Sequence, residues 1–285
     1  MNDNTIATKA FGTSSAAVSI VGLGGEGILR THGKEESAVR VIREAIDQGI
    51  TYFDCAKAYA GSEGYYGSVW RRRKADRAGV FQASKSAMRR KEDARAELEH
   101  TLLTMGIDHL DLWQIHDVRT EEDLRLIEGP GGALEAFQEA RAAGMTRFIG
   151  VTGHHDPRVL THAVRHWPVD SVMMPVNPVE AALGGFLSTT LPAALERGLA
   201  VIAMKVLGAS HYIHPDGGIP AGLLLRFALS QPITVAIVGC STPEHVRTLA
   251  GVGKSFQPLD HDEQQDLVQA FRPHAQRLAF YRGVF

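Results

Sequence analysis

Four polar residues of this chain have the types and spacing of a proton-transfer device: Asp54, Tyr59, Lys85 and His116. Each stands at or just past the C-terminal end of a short apolar run. Asp54 closes Thr51-Tyr52-Phe53-Asp54, and Tyr59 follows in the next segment. Lys85 closes Val80-Phe81-Gln82-Ala83-Ser84-Lys85, and His116 closes Leu110-Asp111-Leu112-Trp113-Gln114-Ile115-His116. A residue that closes a parallel strand points at the mouth of a barrel or sheet, where ligands bind. A carboxylate, a phenol, an amine and an imidazole gathered there can hold a proton and hand it over.

The elements that must position them alternate along the chain. Strand-like runs fall at 18–24, 51–55, 80–85, 110–116, 147–153, 169–176, 200–206 and 235–241. Amphipathic stretches lie between them. Glu35 to Gln48 places Ala38, Val41, Ile42, Ala45 and Ile46 on one face, and Asp93 to Met105 repeats the pattern. Gly131 to Ala143 stops at Gly144, a helix C-terminal signal, and Gly49 and Gly198 stop helices just before strands. Leu223 to Ser230 precedes the eighth strand, and Pro243 opens the helix after it. Parallel strands need crossover helices, so eight such units predict one α/β domain over residues 1–285, a (β/α)8 TIM barrel. An additional C-terminal helix is expected from Glu263 to Leu278, lying across the barrel near the site or on its outer ring. A doubly wound sheet is the alternative.

The bulk numbers agree with a single barrel. The chain has 285 residues and 44% hydrophobic content, and a (β/α)8 barrel takes roughly 250 residues. Thirty basic residues face 32 acidic ones, formally −2, so no nucleic-acid or membrane-surface partner is expected. The basic run Arg71-Arg72-Arg73-Lys74 reads as a solvated helix end. Met1 to Asn4 opens without the pattern of a signal peptide, and no apolar stretch approaches the ~18 residues of a membrane span. Cys55 and Cys240 are far apart in strand-like runs, which fits a reducing compartment. A cytoplasmic protein is expected.

Two motifs point elsewhere and fail on context. Gly22-Leu23-Gly24-Gly25-Glu26-Gly27 satisfies G-x-G-x-x-G, but the dinucleotide fingerprint needs a helix to start at once. Here Ile28 to Gly33 intervene. The glycines are expected to form the first barrel loop, where a ligand approaches the backbone closely. His154-His155 could suggest a metal-dependent hydrolase. Adjacent strand residues point to opposite sides, so the pair cannot chelate, and no metal site is expected.

The quartet in its context resembles the aldo-keto reductase signature. The resemblance rests on Phe53-Asp54-Cys55-Ala56-Lys57-Ala58-Tyr59 with Ser62-Glu63, on Ala83-Ser84-Lys85, and on Gln114-Ile115-His116. It extends from Gly22-Leu23-Gly24 through Arg147-Phe148-Ile149-Gly150-Val151 to Ser241-Thr242-Pro243-Glu244-His245. It implies a barrel that binds a nicotinamide cofactor without a Rossmann domain and interconverts a carbonyl and an alcohol. Tyr59 would be the general acid, with Lys85 lowering its pKa. Asp54 would pair with Lys85, and His116 would orient the carbonyl oxygen. Glu63 would support the site without exchanging protons.

The cofactor side departs from the family's pattern. Thr152-Gly153 stand where Ser-Asn is common, and Met173 where a glutamine is usual, with Asn177 nearby. Met204 replaces the aromatic under the nicotinamide, and a thioether can pack on a ring face. Lys205 beside it would suit a pyrophosphate. Gly24 on the first strand and Leu207 after the seventh complete that wall. At the adenosine end Gly239, His245 and Leu249 replace the usual basic and amide residues. Ser241 and Thr242 at the helix start, with Arg247 within reach, favour NADP(H) over NAD(H). Expected pocket walls are Tyr65, Tyr66, Trp70, Val118, Phe280, Tyr281 and Phe285, with the loop Ser210 to Ile219 as a lid. The partner is a small carbonyl or alcohol substrate. A homo-oligomer is left open, as is a regulatory cofactor-binding subunit on the same fold.

Overall fold

The computed structural model describes residues 5–214 and 217–285. The Met1–Asn4 opening and residues 215–216 of the expected lid lie outside them. Eight parallel strands close into a barrel in the order β10-β3-β4-β5-β6-β7-β8-β9. They are β3 (Val21–Gly27), β4 (Tyr52–Asp54), β5 (Phe81–Ser86), β6 (Leu110–Ile115), β7 (Thr146–Thr152), β8 (Ser171–Pro175), β9 (Ala200–Met204) and β10 (Val235–Cys240). This is the (β/α)8 TIM barrel the alternation predicts.

The expected strand at 18–24 is two elements. Thr8–Ala10 (β1) and Ala17–Ser19 (β2) pair antiparallel as a hairpin, and the barrel strand starts only at Val21. Phe11, at the turn of this hairpin, packs on Phe81 and Phe148 with ring centroids 4.7 and 5.2 Å away. Those rings, with Tyr52, Leu112, Met173, Ile202 and Ile237, fill the barrel interior. The hairpin closes the floor with apolar surface, which leaves the opposite mouth as the open end.

The helices between the strands are α1 (Glu35–Asp47), α2 (Ser62–Arg72), α3 (Lys74–Ala78), α4 (Lys91–Met105), α5 (Glu121–Glu128), α6 (Ala133–Ala142), α7 (Pro157–His166), α8 (Pro178–Leu183), α9 (Leu191–Glu196) and α10 (Ala221–Leu229), and α2 and the helix after β10 frame the site. Helix α2 (Ser62–Arg72) follows β4 and buries Tyr65, Tyr66, Val69 and Trp70. Helix α11 (Pro243–Lys254) follows β10, with Thr242 as its N-cap and Pro243 at the first turn. The tail helix is broken. It runs His261–Phe271 as α12, turns through Arg272–His274, and resumes as Ala275–Leu278, which is α13. Pro273 supplies no backbone N–H, so the ladder cannot continue through it. Phe271, Leu267 and Val268 pack with Val179, Tyr212 and Phe227 on the outside of the barrel.

The glycine run Gly22–Gly27 is strand, not loop. A Cβ at Gly24 would stand 2.9 Å from the Val238 backbone of β10, and one at Gly25 would stand 2.6 Å from two ring carbons of Tyr59. What approaches the backbone here is the neighbouring strand and the Tyr59 ring. At Gly27, which has φ +70, a Cβ would stand 2.7 Å from the Cys240 carbonyl oxygen. The run lets β3 and β10 sit close while β10 shifts register between Gly239 and Cys240.

Candidate active site

Asp54 ends β4, Lys85 lies one residue inside the end of β5, and His116 follows β6 directly. Tyr59 sits in the loop between β4 and α2, its ring lodged against Gly25. The barrel geometry brings all four together. Lys85 Nζ is 2.6 Å from Asp54 Oδ2 and donates to the Cys55 carbonyl at 2.8 Å. It also stands 4.8 Å from the Tyr59 ring centroid. The His116 ring meets Tyr59 edge-on at 5.5 Å. Asp54 Oδ1 and His116 Nδ1 are buried and have no hydrogen-bond partner among the described residues. Buried polar atoms are normally paired, so these two have capacity to spare.

Burial and charge set the protonation states. Burial pulls the Lys85 ammonium down, but the Asp54 carboxylate and the Tyr59 side chain outweigh it and hold Lys85 above the usual lysine value. Burial lifts the Tyr59 phenol above its ordinary value, and Lys85 draws it back only in part. Lys85 thus acts on the phenol in the expected direction, but in the free chain the desolvation of a phenolate outweighs that one cation. Burial, aided by Lys85, pushes the His116 imidazole down to about 3. His116 is therefore neutral at physiological pH. The residue sits firmly: Arg89 donates to the His116 carbonyl at 2.9 Å and the Asp117 carbonyl at 2.8 Å, and pairs with Asp123 at 2.8 Å.

A cavity of about 670 Å³ opens beside Asp54 and Tyr59. Of the residues expected to bind cofactor, Gly24, Met204, Lys205, Leu207, Gly239, Ser241 and His245 line it, as do Met173 and Leu249. Three others do not. The Thr152 hydroxyl accepts from the Asp117 N–H at 2.8 Å, fixing a residue with φ +56. Asn177 is fully buried: its Oδ1 accepts from Glu180 N–H at 2.9 Å, and its Nδ2 donates to the Lys205 carbonyl and Tyr281 hydroxyl at 3.1 Å each. Thr242 caps α11 by accepting from the His245 N–H. Arg247 pairs with Glu44 and Glu244, away from the cavity. In each case the side chain bonds to the protein itself and is not part of the cavity wall.

The expected pocket walls divide the same way. Phe280 lines the cavity. Tyr66 and Trp70 stack at 6.0 Å within the core under α2, and the Tyr65 hydroxyl donates to the Thr31 carbonyl at 2.8 Å. Val118 is in the core and Phe285 is exposed. Two charged residues of the wall, Glu26 and Arg30, were not among the expected ones. They pair at 2.6 Å, and the Arg30 guanidinium stands 5.0 Å from the Tyr59 ring centroid. Their signal was their place at the C-terminal end of the first barrel strand and in the turn just after it, where sites form. His154 contacts Asp117 at 3.3 Å and the Tyr281 carbonyl at 3.2 Å, so it braces the rim. Among the described residues no group of three or more His, Cys, Asp or Glu could hold a metal ion, and no helix is long and apolar enough to cross a membrane.

Solved structures share this fold across nearly the whole chain. An aldo-keto reductase from Klebsiella pneumoniae in complex with NADPH superposes with a TM-score of 0.77 at 23% identity, covering 94% of this chain and 96% of the other. The holo form of an aldo-keto reductase from Bacillus halodurans gives 0.74 at 19% identity over 98% and 97%. Among curated proteins, L-galactose dehydrogenase of Arabidopsis thaliana is 28% identical over 52% of this chain and 49% of its own length. An uncharacterised oxidoreductase of Bacillus subtilis (strain 168) is 26% identical over 58% and 55%. The chain spans about half the length of these two curated relatives. The sequence profile of the Aldo/keto reductase family matches residues 20–214, from the floor of the first barrel strand to the loop after the seventh, and the chain therefore belongs to that family.

Proposed function

We propose that this chain is a nicotinamide-dependent oxidoreductase that interconverts a small aldehyde or ketone and its alcohol, with Tyr59 as general acid and base. One observation carries the reading. A fully buried Lys85–Asp54 pair at 2.6 Å lies against a phenol that faces a large cavity, with a neutral imidazole across from it. Ion pairs that merely staple strands have no use for a cavity-facing phenol beside them.

The wall suits a dinucleotide. Lys205 offers a cation whose charged neighbours are already engaged: Glu26 pairs with Arg30, and Asp117 with Arg119. The start of α11 adds the N-terminal end of a 12-residue helix, with Ser241 and His245 on the wall. Met204 and Leu207 supply apolar surface for a ring. When bound, the reduced nicotinamide supplies hydride to the carbonyl carbon. Charge then builds on the carbonyl oxygen, and the Tyr59 hydroxyl donates its proton there. Lys85 stabilises the phenolate left behind, and Asp54 keeps Lys85 charged. Neutral His116 can donate a hydrogen bond to the same oxygen without competing for the proton. NADP(H) is favoured over NAD(H) on Ser241 and the α11 terminus, without the support first expected from Arg247.

The test follows NADPH or NADH absorbance with a panel of aldehydes, ketones and aldoses. Wild type turns over at least one of them, and Tyr59→Phe binds cofactor but loses about 10²–10⁴-fold in kcat. Wild-type rates in the variant remove Tyr59 from its role. No turnover with any substrate favours a regulatory subunit instead. A lower KM for NADH than for NADPH overturns the cofactor preference.

A further inference from the structure

The chain after α13 is tied back to the barrel mouth through a buried charge. Glu180, in the helix that follows β8, is fully buried. It accepts from the Tyr281 hydroxyl at 2.8 Å and from Arg282 Nε at 3.1 Å, and it pairs with Arg282 Nη2. Gly283 N–H donates to the His155 carbonyl at 3.1 Å. A buried carboxylate is tolerated only when its oxygens are paired, and here the C-terminal residues supply that pairing.

The same network ends on Lys205. This residue has φ +57, the left-handed region that L side chains other than Asn and Asp rarely enter. Neighbours must therefore hold it there. Asn177 Nδ2 donates to its carbonyl at 3.1 Å, and the same amide donates to the Tyr281 hydroxyl at 3.1 Å. The Tyr281 ring lies 6.0 Å from Lys205 Nζ, within the range of a cation–π contact. Tyr281 thus touches both the backbone support and the charged end of Lys205.

We infer that Tyr281 is a positioning residue for Lys205: it orients the Asn177 amide and the ammonium, and so sets the affinity of the cavity for the phosphates of its cofactor. The inference rests on the reading that Lys205 meets those phosphates. It ties the cofactor side of the cavity to residues at the far end of the chain.

The experiment compares Tyr281→Phe, Tyr281→Leu, Lys205→Gln and the Tyr281→Phe/Lys205→Gln double variant. Kd for NADP+ is read by quenching of intrinsic fluorescence, and Kd for inorganic pyrophosphate by calorimetry. Melting temperatures check that each variant folds. Tyr281→Phe keeps the ring and loses the hydroxyl, so both Kd values rise by about 3- to 10-fold, the worth of one hydrogen bond. Tyr281→Leu loses the ring as well, and both Kd values rise further. In the Lys205→Gln background Tyr281→Phe changes neither Kd by more than about twofold, because the receiver of its effect is gone. In Tyr281→Phe, kcat at saturating cofactor stays within about twofold of wild type while KM for the cofactor rises with Kd, since only affinity is altered. Additive losses in the double variant overturn the inference, as do unchanged Kd values in both Tyr281 variants. An unchanged Kd in Lys205→Gln overturns it at its base, by removing Lys205 from the cofactor.

Discussion

The residue that most rewards measurement is His116. Its imidazole is held at about 3 by burial and by Lys85, so it stays neutral from pH 5 to pH 8. The pH profile of kcat/KM for carbonyl reduction is expected to show no limb near the ordinary histidine value of about 6.5. A limb there that vanishes in His116→Gln would show that the site is charged instead. The stability consequence has a definite sign. The folded value lies below the unfolded one, so the unfolded chain takes up a proton that the folded site refuses. Stability therefore falls as pH drops below about 6.5 and stops falling near 3. Tyr59 behaves oppositely in rate. Its phenol is raised by burial, so alcohol oxidation, which needs the phenolate, quickens with rising pH to beyond about 10. Lys205 adds a third dependence. Burial pulls its ammonium below the ordinary lysine value, and on the proposed reading an anionic cofactor binds the protonated form. Cofactor affinity should weaken as pH climbs towards that value, and titrating Kd from pH 7 to 10 checks it.

At the scale of elements, the first barrel strand and the β4–α2 loop form one unit. Gly25 exists where the Tyr59 ring lies, and a Cβ there would meet ring carbons at 2.6 Å. Gly25→Ala should leave the fold intact, since φ at this position is not in the left-handed region, yet push the phenol aside. A displacement of that kind costs on the order of 10²-fold in kcat, with a melting temperature close to wild type. Equal kcat in the variant would mean that Tyr59 has slack in its seat. The glycine run in this sequence imitates a dinucleotide fingerprint for a reason local to the barrel. Small residues recur wherever two backbones, or a backbone and a ring, come close, and strand pairing demands that as often as a phosphate does.

Over the whole molecule, the C-terminal residues close a circuit from the outer helices to the mouth. Removing Arg282 would strand the buried Glu180 carboxylate. Arg282→Ala is expected to destabilise the fold by about 3–5 kcal/mol, read as a shift in the denaturant midpoint at constant m-value. Glu180→Gln combined with it should recover part of the loss, because a neutral amide needs no cation. A loss as large in the double variant as in the single would show that Arg282 acts through packing alone.

The barrel and its quartet were legible along the chain because both are periodic or strand-anchored. Alternating runs announce eight β/α units, and a strand end fixes where a side chain points, so Asp54, Lys85 and His116 converge by topology alone. Tyr59 was legible because its loop starts from Asp54. The N-terminal hairpin was not, since Ala17–Ser19 and Val21–Gly27 read as one β-rich run until Thr8–Ala10 pairs with the first part. The roles of Thr152, Asn177 and Thr242 were equally hidden. A hydroxyl or an amide near a strand end looks the same in sequence whether it faces a ligand or a neighbouring backbone. Only the fold decides, by bringing Asp117 to Thr152, Lys205 and Tyr281 to Asn177, and His245 to Thr242. Protonation was decided there too. The sequence by itself determined which groups could trade a proton and on what scaffold. Tertiary burial determined that the free phenol sits high and the imidazole stays neutral, because the cost of desolvating a charge depends on everything packed around it.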